Sequence, residues 1–286
     1  MHRQHFARTG GKLKLHAAHH LTGSKHARRA RCLDRLGVCM EAARQIRDAV
    51  QRVSALRESA LALPAVREAL VTVKGLQARR FAGTYNDLLS HGPYVDAARF
   101  FLEELYSDKD YAERDAQFAR IAGAIERFFP SQVVATAVGL AELHALTEEL
   151  DHAMAVAWTG FHEPAMSDAG RYVAAWRSVS RRPERERQLA VVLDIGREMT
   201  KLTRTPGLRM LLKMMRAPAA AAGLSSLQRF LENGFDTFAA MARCPGGAEA
   251  FLQTILGRET ALVQALFDAD IGACETDLVR MLGQAP

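Results

Sequence analysis

The stretch ARFFLEELYSDKDYAERDAQFARI, residues 98–121, decides how this chain is read. Its apolar residues return every three or four positions on both sides of a short polar connection, SDKD, which is the period of helices rather than strands. Placed at about 100° per residue, Ala97, Ala98, Phe101, Leu102 and Leu105 form one apolar face, with Asp96, Arg99 and Glu103 opposite. Glu104 breaks the pattern, because it falls between Phe100 and Phe101 on the wheel, inside the apolar arc. A carboxylate in that position needs a partner, a raised pKa or water. The next helix carries Tyr111, Phe118, Ile121, Ile125 and Phe128 on its stripe, with Arg114 among them. So short a connection makes antiparallel packing the default, and the sequence therefore predicts a Glu104–Arg114 ion pair.

The same period continues from Met40 onward. Helices are predicted near 41–62, 65–90, 94–106, 110–129, 131–159, 168–180, 183–204, 206–216, 224–242 and 247–267, punctuated by prolines and glycines. The one strand-like run, QVVATAV at 132–138, leads straight into a long helical segment. The expected fold is all-α, a multi-helix bundle of about nine or ten helices with no sheet. No fixed-period repeat points to a solenoid. Residues 160–183 are a possible join between two helical subdomains, and the i,i+4 pair Tyr172 and Trp176 argues for packing shared across it.

Charge is distributed unevenly. The whole chain carries a formal +6, yet residues 1–39 hold nine Lys and Arg against a single acid, Asp34. That balance of +8 leaves −2 for residues 40–286, so nucleic acid is not the expected partner of the body. The leader also holds six of the ten histidines, and it is expected to be a disordered tail or an over-extended start with Met40 as the working initiator. Apolar runs are too short for a membrane span. The four cysteines show no zinc-finger or CxxC spacing and read as reduced thiols of a cytoplasmic protein.

Two further helices point polar groups toward apolar faces. Gln77, Arg80 and Thr84 share the face of Val66, Leu70, Val73, Phe81 and Leu88. His144, Thr147, Glu148 and Asp151 occupy i, i+3, i+4 and i+7 of a helix that is otherwise apolar nearly all round. The expectation is a polar network of Gln77, Arg80, Glu104, Arg114, His144, Thr147, Glu148 and Asp151, in which opposite charges nearly cancel. Its roles are structural or ligand-binding. The catalytic alternative uses His144 as acid or base, oriented by Glu148 or Asp151. A metal site would draw on His144, Glu148, Asp151 and Glu104, or on Glu149-x-x-His152, but the neighbouring arginines oppose a cation, so neither metal nor cofactor is expected. No GxSxG, HExxH or P-loop string is present. A protein partner or a second copy of the chain is the remaining class. Leu189, Val192, Ile195 and Met199, followed by Met210, Met214 and Met215, would make an adaptable surface for it.

FFLEELY at 100–106, with RDAQFARI at 114–121, ELHALTEELD at 142–151 and the terminal FLENGFDTFAAM and FLQTILGRE segments, resembles the bacterial FFLEELY-motif proteins. The resemblance covers roughly residues 45–270 and leaves out the leader. It implies a bacterial cytoplasmic helical protein and carries no activity or site residue with it.

Overall fold

A computed structural model describes residues 41–285 apart from 107–108, 110 and 162–165. The readings made of the 1–39 leader, whether disorder or an over-extended start, lie outside the described residues. From Ala42 onward the chain forms one compact unit. No strand occurs among the described residues. The helices are α1 (41–62), α2 (Pro64–Thr84), α3 (Asn86–Ser90), α4 (Val95–Glu104), α5 (Ala112–Phe128), α6 (Ser131–Trp158), α7 (Asp168–Val179), α8 (Arg182–Leu202), α9 (Leu208–Met214), α10 (Arg216–Ala221), α11 (Ser225–Met241), α12 (Gly247–Asp268) and α13 (Ile271–Gly283).

The helices outnumber the ten expected, for three local reasons. The segment 65–90 breaks at Tyr85, which leaves helical geometry (φ −113°, ψ 19°) and is fully buried. A second short helix, α10, follows α9 beyond Met215 and accommodates Pro218 in its first turn. The helix α13 escaped the sequence reading altogether, although its start is marked by Asp270, whose side chain accepts from Ala273 N at 3.1 Å. QVVATAV lies inside α6, where tertiary burial overrides the β-branched preference of Val and Thr.

The 28-residue α6 is the axis of the fold and packs against α2, α5, α7 and α8. One apolar cluster joins α2, α6, α7, α12 and α13 around Val73, Met154, Val173, Trp176, Leu266 and Leu278. A second joins α4, α8, α11 and α12 around Phe101, Leu193, Phe238, Phe251 and Ile255. Tyr172 and Trp176, from the 160–183 stretch, are both buried in the first cluster.

Arginines on α7 satisfy carbonyls that helix ends leave open. Arg171 donates twice to Trp158 O at the end of α6, at 3.1 and 2.8 Å. Arg177 does the same for Leu266 O and Ala269 O at the end of α12, at 2.9 and 2.5 Å. Gln117 caps α11 from outside, its Oε1 accepting from Leu227 N at 3.0 Å. Two glycines permit the closest helix approaches. A Cβ on Gly83 would stand 1.7 Å from Met281 O, so α13 crosses α2 at a point where no side chain fits. A Cβ on Gly196 would meet Leu252 Cδ2 at 2.6 Å.

Candidate functional site

Two contacts set the direction of α8 relative to α6. Gln188 Nε2 donates to Thr147 Oγ1 at 2.8 Å, and Gln132 Nε2 donates to Glu198 Oε2 at 2.7 Å. Low numbers on α6 thus face high numbers on α8, and the helices run antiparallel. Along each, the chemistry changes from one end to the other. Val133 and Leu140 on α6 lie toward the end where α8 carries Met199 and Leu202, whereas Thr147, Glu148 and Asp151 lie toward Arg185 and Gln188. A cavity of about 460 Å³ is lined by all of these residues, so it is apolar toward one end and polar toward the other. Leu208, Leu212, Ala219, Leu227 and Phe235 from α9, α10 and α11 complete its apolar end.

All eight residues of the expected network line this cavity, and the expected Glu104–Arg114 pair forms, whereas Arg80 and His144 take partners from outside the expected set. Arg114 Nη1 donates to Glu104 Oε2 at 2.9 Å, and its guanidinium lies over the rings of Tyr111 (3.8 Å) and Phe230 (4.4 Å). Glu103, by contrast, is exposed. Thr147 donates to Leu143 O at 2.9 Å in addition to accepting from Gln188.

The partner of Arg80 comes from outside the three expected helices. Arg80 Nη1 donates to Glu259 Oε1 of α12 at 2.6 Å, and Tyr85 Oη donates to the same oxygen at 3.0 Å. Burial alone would lower the Arg80 pKa, but the Glu259 carboxylate together with the Tyr106, Tyr172 and Tyr85 phenols outweighs it and raises the value. Burial, reinforced by Glu259, pushes the Tyr85 phenol up. Glu148 pairs with Lys74 at 2.6 Å.

His144 is not oriented by Glu148 or Asp151, as the catalytic alternative required. Its Nε2 lies 2.9 Å from Asp115 Oδ2, the oxygen to which Arg57 Nη2 donates at 2.6 Å. Burial would raise the Asp115 pKa; the hydrogen bonds from His144 and Arg57 together hold it below the ordinary aspartate value. Asp151, only 3% exposed, accepts from Gln77 Nε2 at 3.0 Å, and burial pushes its pKa up.

The metal alternatives do not assemble either. Among the described residues no group of three or more His, Cys, Asp or Glu side chains is placed to hold an ion. Glu149 turns instead toward Arg52 of α1, at 3.2 Å. Of the methionines expected on an adaptable surface, Met210, Met214 and Met215 are all exposed, and Met215 also borders the cavity.

Five polar side chains on the cavity wall are absent from the expected set: Lys74, Asp115, Arg185, Gln188 and Glu259. Glu259 did carry a signal, since it interrupts the buried series Leu252, Ile255, Val263 and Leu266 as Glu104 interrupts its own. Arg185 was hidden within the charge-dense RRPERERQ run. It is 7% exposed, its guanidinium lies 4.1 Å from the Trp176 ring centre, and burial lowers its pKa.

Fold and site together define a class: a helical bundle enclosing a cavity with a charged end and a hydrocarbon end. Over residues 56–272 the chain matches the family described as a domain of unknown function (DUF8198), and it belongs to that family. No curated protein and no solved structure matches it. No helix among the described residues is long and apolar enough to cross a membrane.

Proposed function

We propose that this chain is a non-catalytic binding protein that holds a small amphipathic molecule in the cavity between α6 and α8. The observation that carries the reading is the cavity itself. At about 460 Å³ it falls inside the range of roughly 300–1,000 Å³ for small-molecule sites, which are largely apolar with a few convergent polar groups. Binding is favoured over catalysis because the His144–Asp115 pair on the cavity wall is closed by Arg57 on the same carboxylate oxygen. The reading goes with a cytoplasmic setting, supported by the free thiols Cys244 and Cys274.

The test uses the neutral fluorophore N-phenyl-1-naphthylamine, which brightens in apolar surroundings. It is expected to bind one per chain, and Leu140→Trp, which fills the cavity, is expected to weaken that binding at least about tenfold. No fluorescence gain with the wild-type protein, or an unchanged affinity in a folded Leu140→Trp variant, defeats the reading.

A further inference from the structure

The charged groups at the polar end neutralise one another in a way that leaves one cation over. Lys74 pairs with Glu148, Arg80 with Glu259, Arg114 with Glu104, and Arg57 with Asp115. Arg185 forms no ion pair among the described residues. Among the described residues its hydrogen bond is to Gln188 Oε1, 3.5 Å from Nη1 and at the limit for such a bond, and its buried Nη2 has no partner. A guanidinium cannot shed its proton and presents five donors. Burying one without a carboxylate is strongly unfavourable. Trp176, beneath the guanidinium, likewise keeps a buried Nε1–H without a partner, and both residues line the cavity.

Asp151 is the internal candidate for the missing counter-charge. Its carboxylate accepts from Gln77 and acts on Arg185 only as a neighbouring charge, with no hydrogen bond or ion pair between the two among the described residues. The Arg185 guanidinium thus lacks a negatively charged acceptor within hydrogen-bond reach among the described residues. Beyond it, α8 continues past Leu189, Val192, Met199 and Leu202, each on the cavity wall. From Arg185 to Leu202 the helix rises about 25 Å. A cation at one end of an apolar wall matches a molecule with one anionic head and an extended hydrocarbon tail.

We infer, resting on the binding reading above, that the ligand is a straight-chain monocarboxylic acid, its carboxylate held by Arg185 and its chain lying along α8 toward Leu202. A carboxylate suits the guanidinium fork. A phosphate monoester, carrying about −1.5 to −2 at pH 7, brings more charge than the single unpaired arginine neutralises.

The experiment displaces N-phenyl-1-naphthylamine from the full chain with dodecanoate, 1-dodecanol or dodecyl phosphate. In the wild-type protein dodecanoate is expected to compete about tenfold or more better than 1-dodecanol. Arg185→Met should erase that advantage while leaving the alcohol's affinity within about twofold, and Arg185→Lys should keep part of it. Equal competition by acid and alcohol against a fluorophore that binds overturns the Arg185 assignment and leaves the cavity reading standing. Failure of the fluorophore to bind overturns the reading on which the inference rests. Dodecyl phosphate outcompeting dodecanoate overturns the single-charge argument. Should either variant misfold, the wild-type comparison of acid with alcohol decides alone.

Discussion

Where Thr147 meets Gln188, the cavity wall is made of charges and amides; a few turns away, at Leu140 and Val192, the same two helices present only hydrocarbon. The helices, their antiparallel packing and their shared cavity are common to both ends, so backbone architecture does not explain the contrast. It arises from sequence alone, as two amphipathic patterns that change along the helix axis instead of around it. The ends should therefore respond to substitution by different rules. At the polar end the charged groups other than Arg185 have named partners, and the cost of losing one is set by the charge left behind. At the apolar end no group has a unique partner, and cost follows volume.

The largest effect expected belongs to the polar end. Glu259→Leu strands Arg80, 7% exposed, and should destabilise by about 3–5 kcal/mol, whereas Arg80→Met combined with Glu259→Leu should recover most of the loss. Urea unfolding midpoints measure both. A double variant no better than the single one would break the contrast, because packing rather than stranded charge would then set the cost at this end.

The apolar end should respond less. Leu202, 5% exposed, lines the cavity, so truncation to Ala removes fewer contacts than in a filled core. About 2–3 kcal/mol is expected, the low end for a buried leucine. Leu202→Met, which conserves volume, should cost less than about 1.5 kcal/mol in the same assay. Equal costs for the two would mean that this wall requires a particular shape and not merely hydrocarbon.

The smallest signal is a slope with pH. In the folded state Asp151 binds its proton more tightly than an ordinary aspartate, whose pKa is 3.8. Its contribution to stability is present below that value and is lost as pH rises through the folded-state pKa. Asp115 behaves oppositely: its pKa is depressed, so its contribution is present above 3.8 and is lost as pH falls through the folded-state value. Asp151→Asn should therefore reduce the fall in stability toward neutral pH, and Asp115→Asn should reduce the fall toward acid. Thermal melts between about pH 3 and 8 read both slopes, and matching slopes in the two variants would contradict the opposite environments described for these carboxylates.

The all-helical class was legible because the apolar period persists from α1 to α12 with little interruption. Glu104 and Arg114 were legible as a pair because they sit at the adjoining ends of two helices joined by a short connection, so that spacing alone brought them together. The partners of Arg80 and His144 were not. Glu259 is 179 residues from Arg80 in sequence, and no local pattern encodes which buried cation meets which buried anion over such a span. Arg185 was obscured by company: amid RRPERERQ a single inward arginine looks like its solvated neighbours until packing shows which one faces the cavity. The helix α13 was missed because it is short and its one clear signal, the Asp270 cap, was left unread.

The crossing of α13 over Gly83 bears on how the protein is made. Thr84, beside that glycine, contacts Met281 across 197 residues of chain, so α2 leaves the ribosome long before the helix that covers it exists. Until translation reaches α13, one side of α2 has no lid of its own. Nascent chains of such long sequence separation close slowly and meanwhile expose apolar surface. Ribosome stalling ahead of α13 would therefore leave a sticky intermediate for chaperones to hold, with the notch at Gly83 still open.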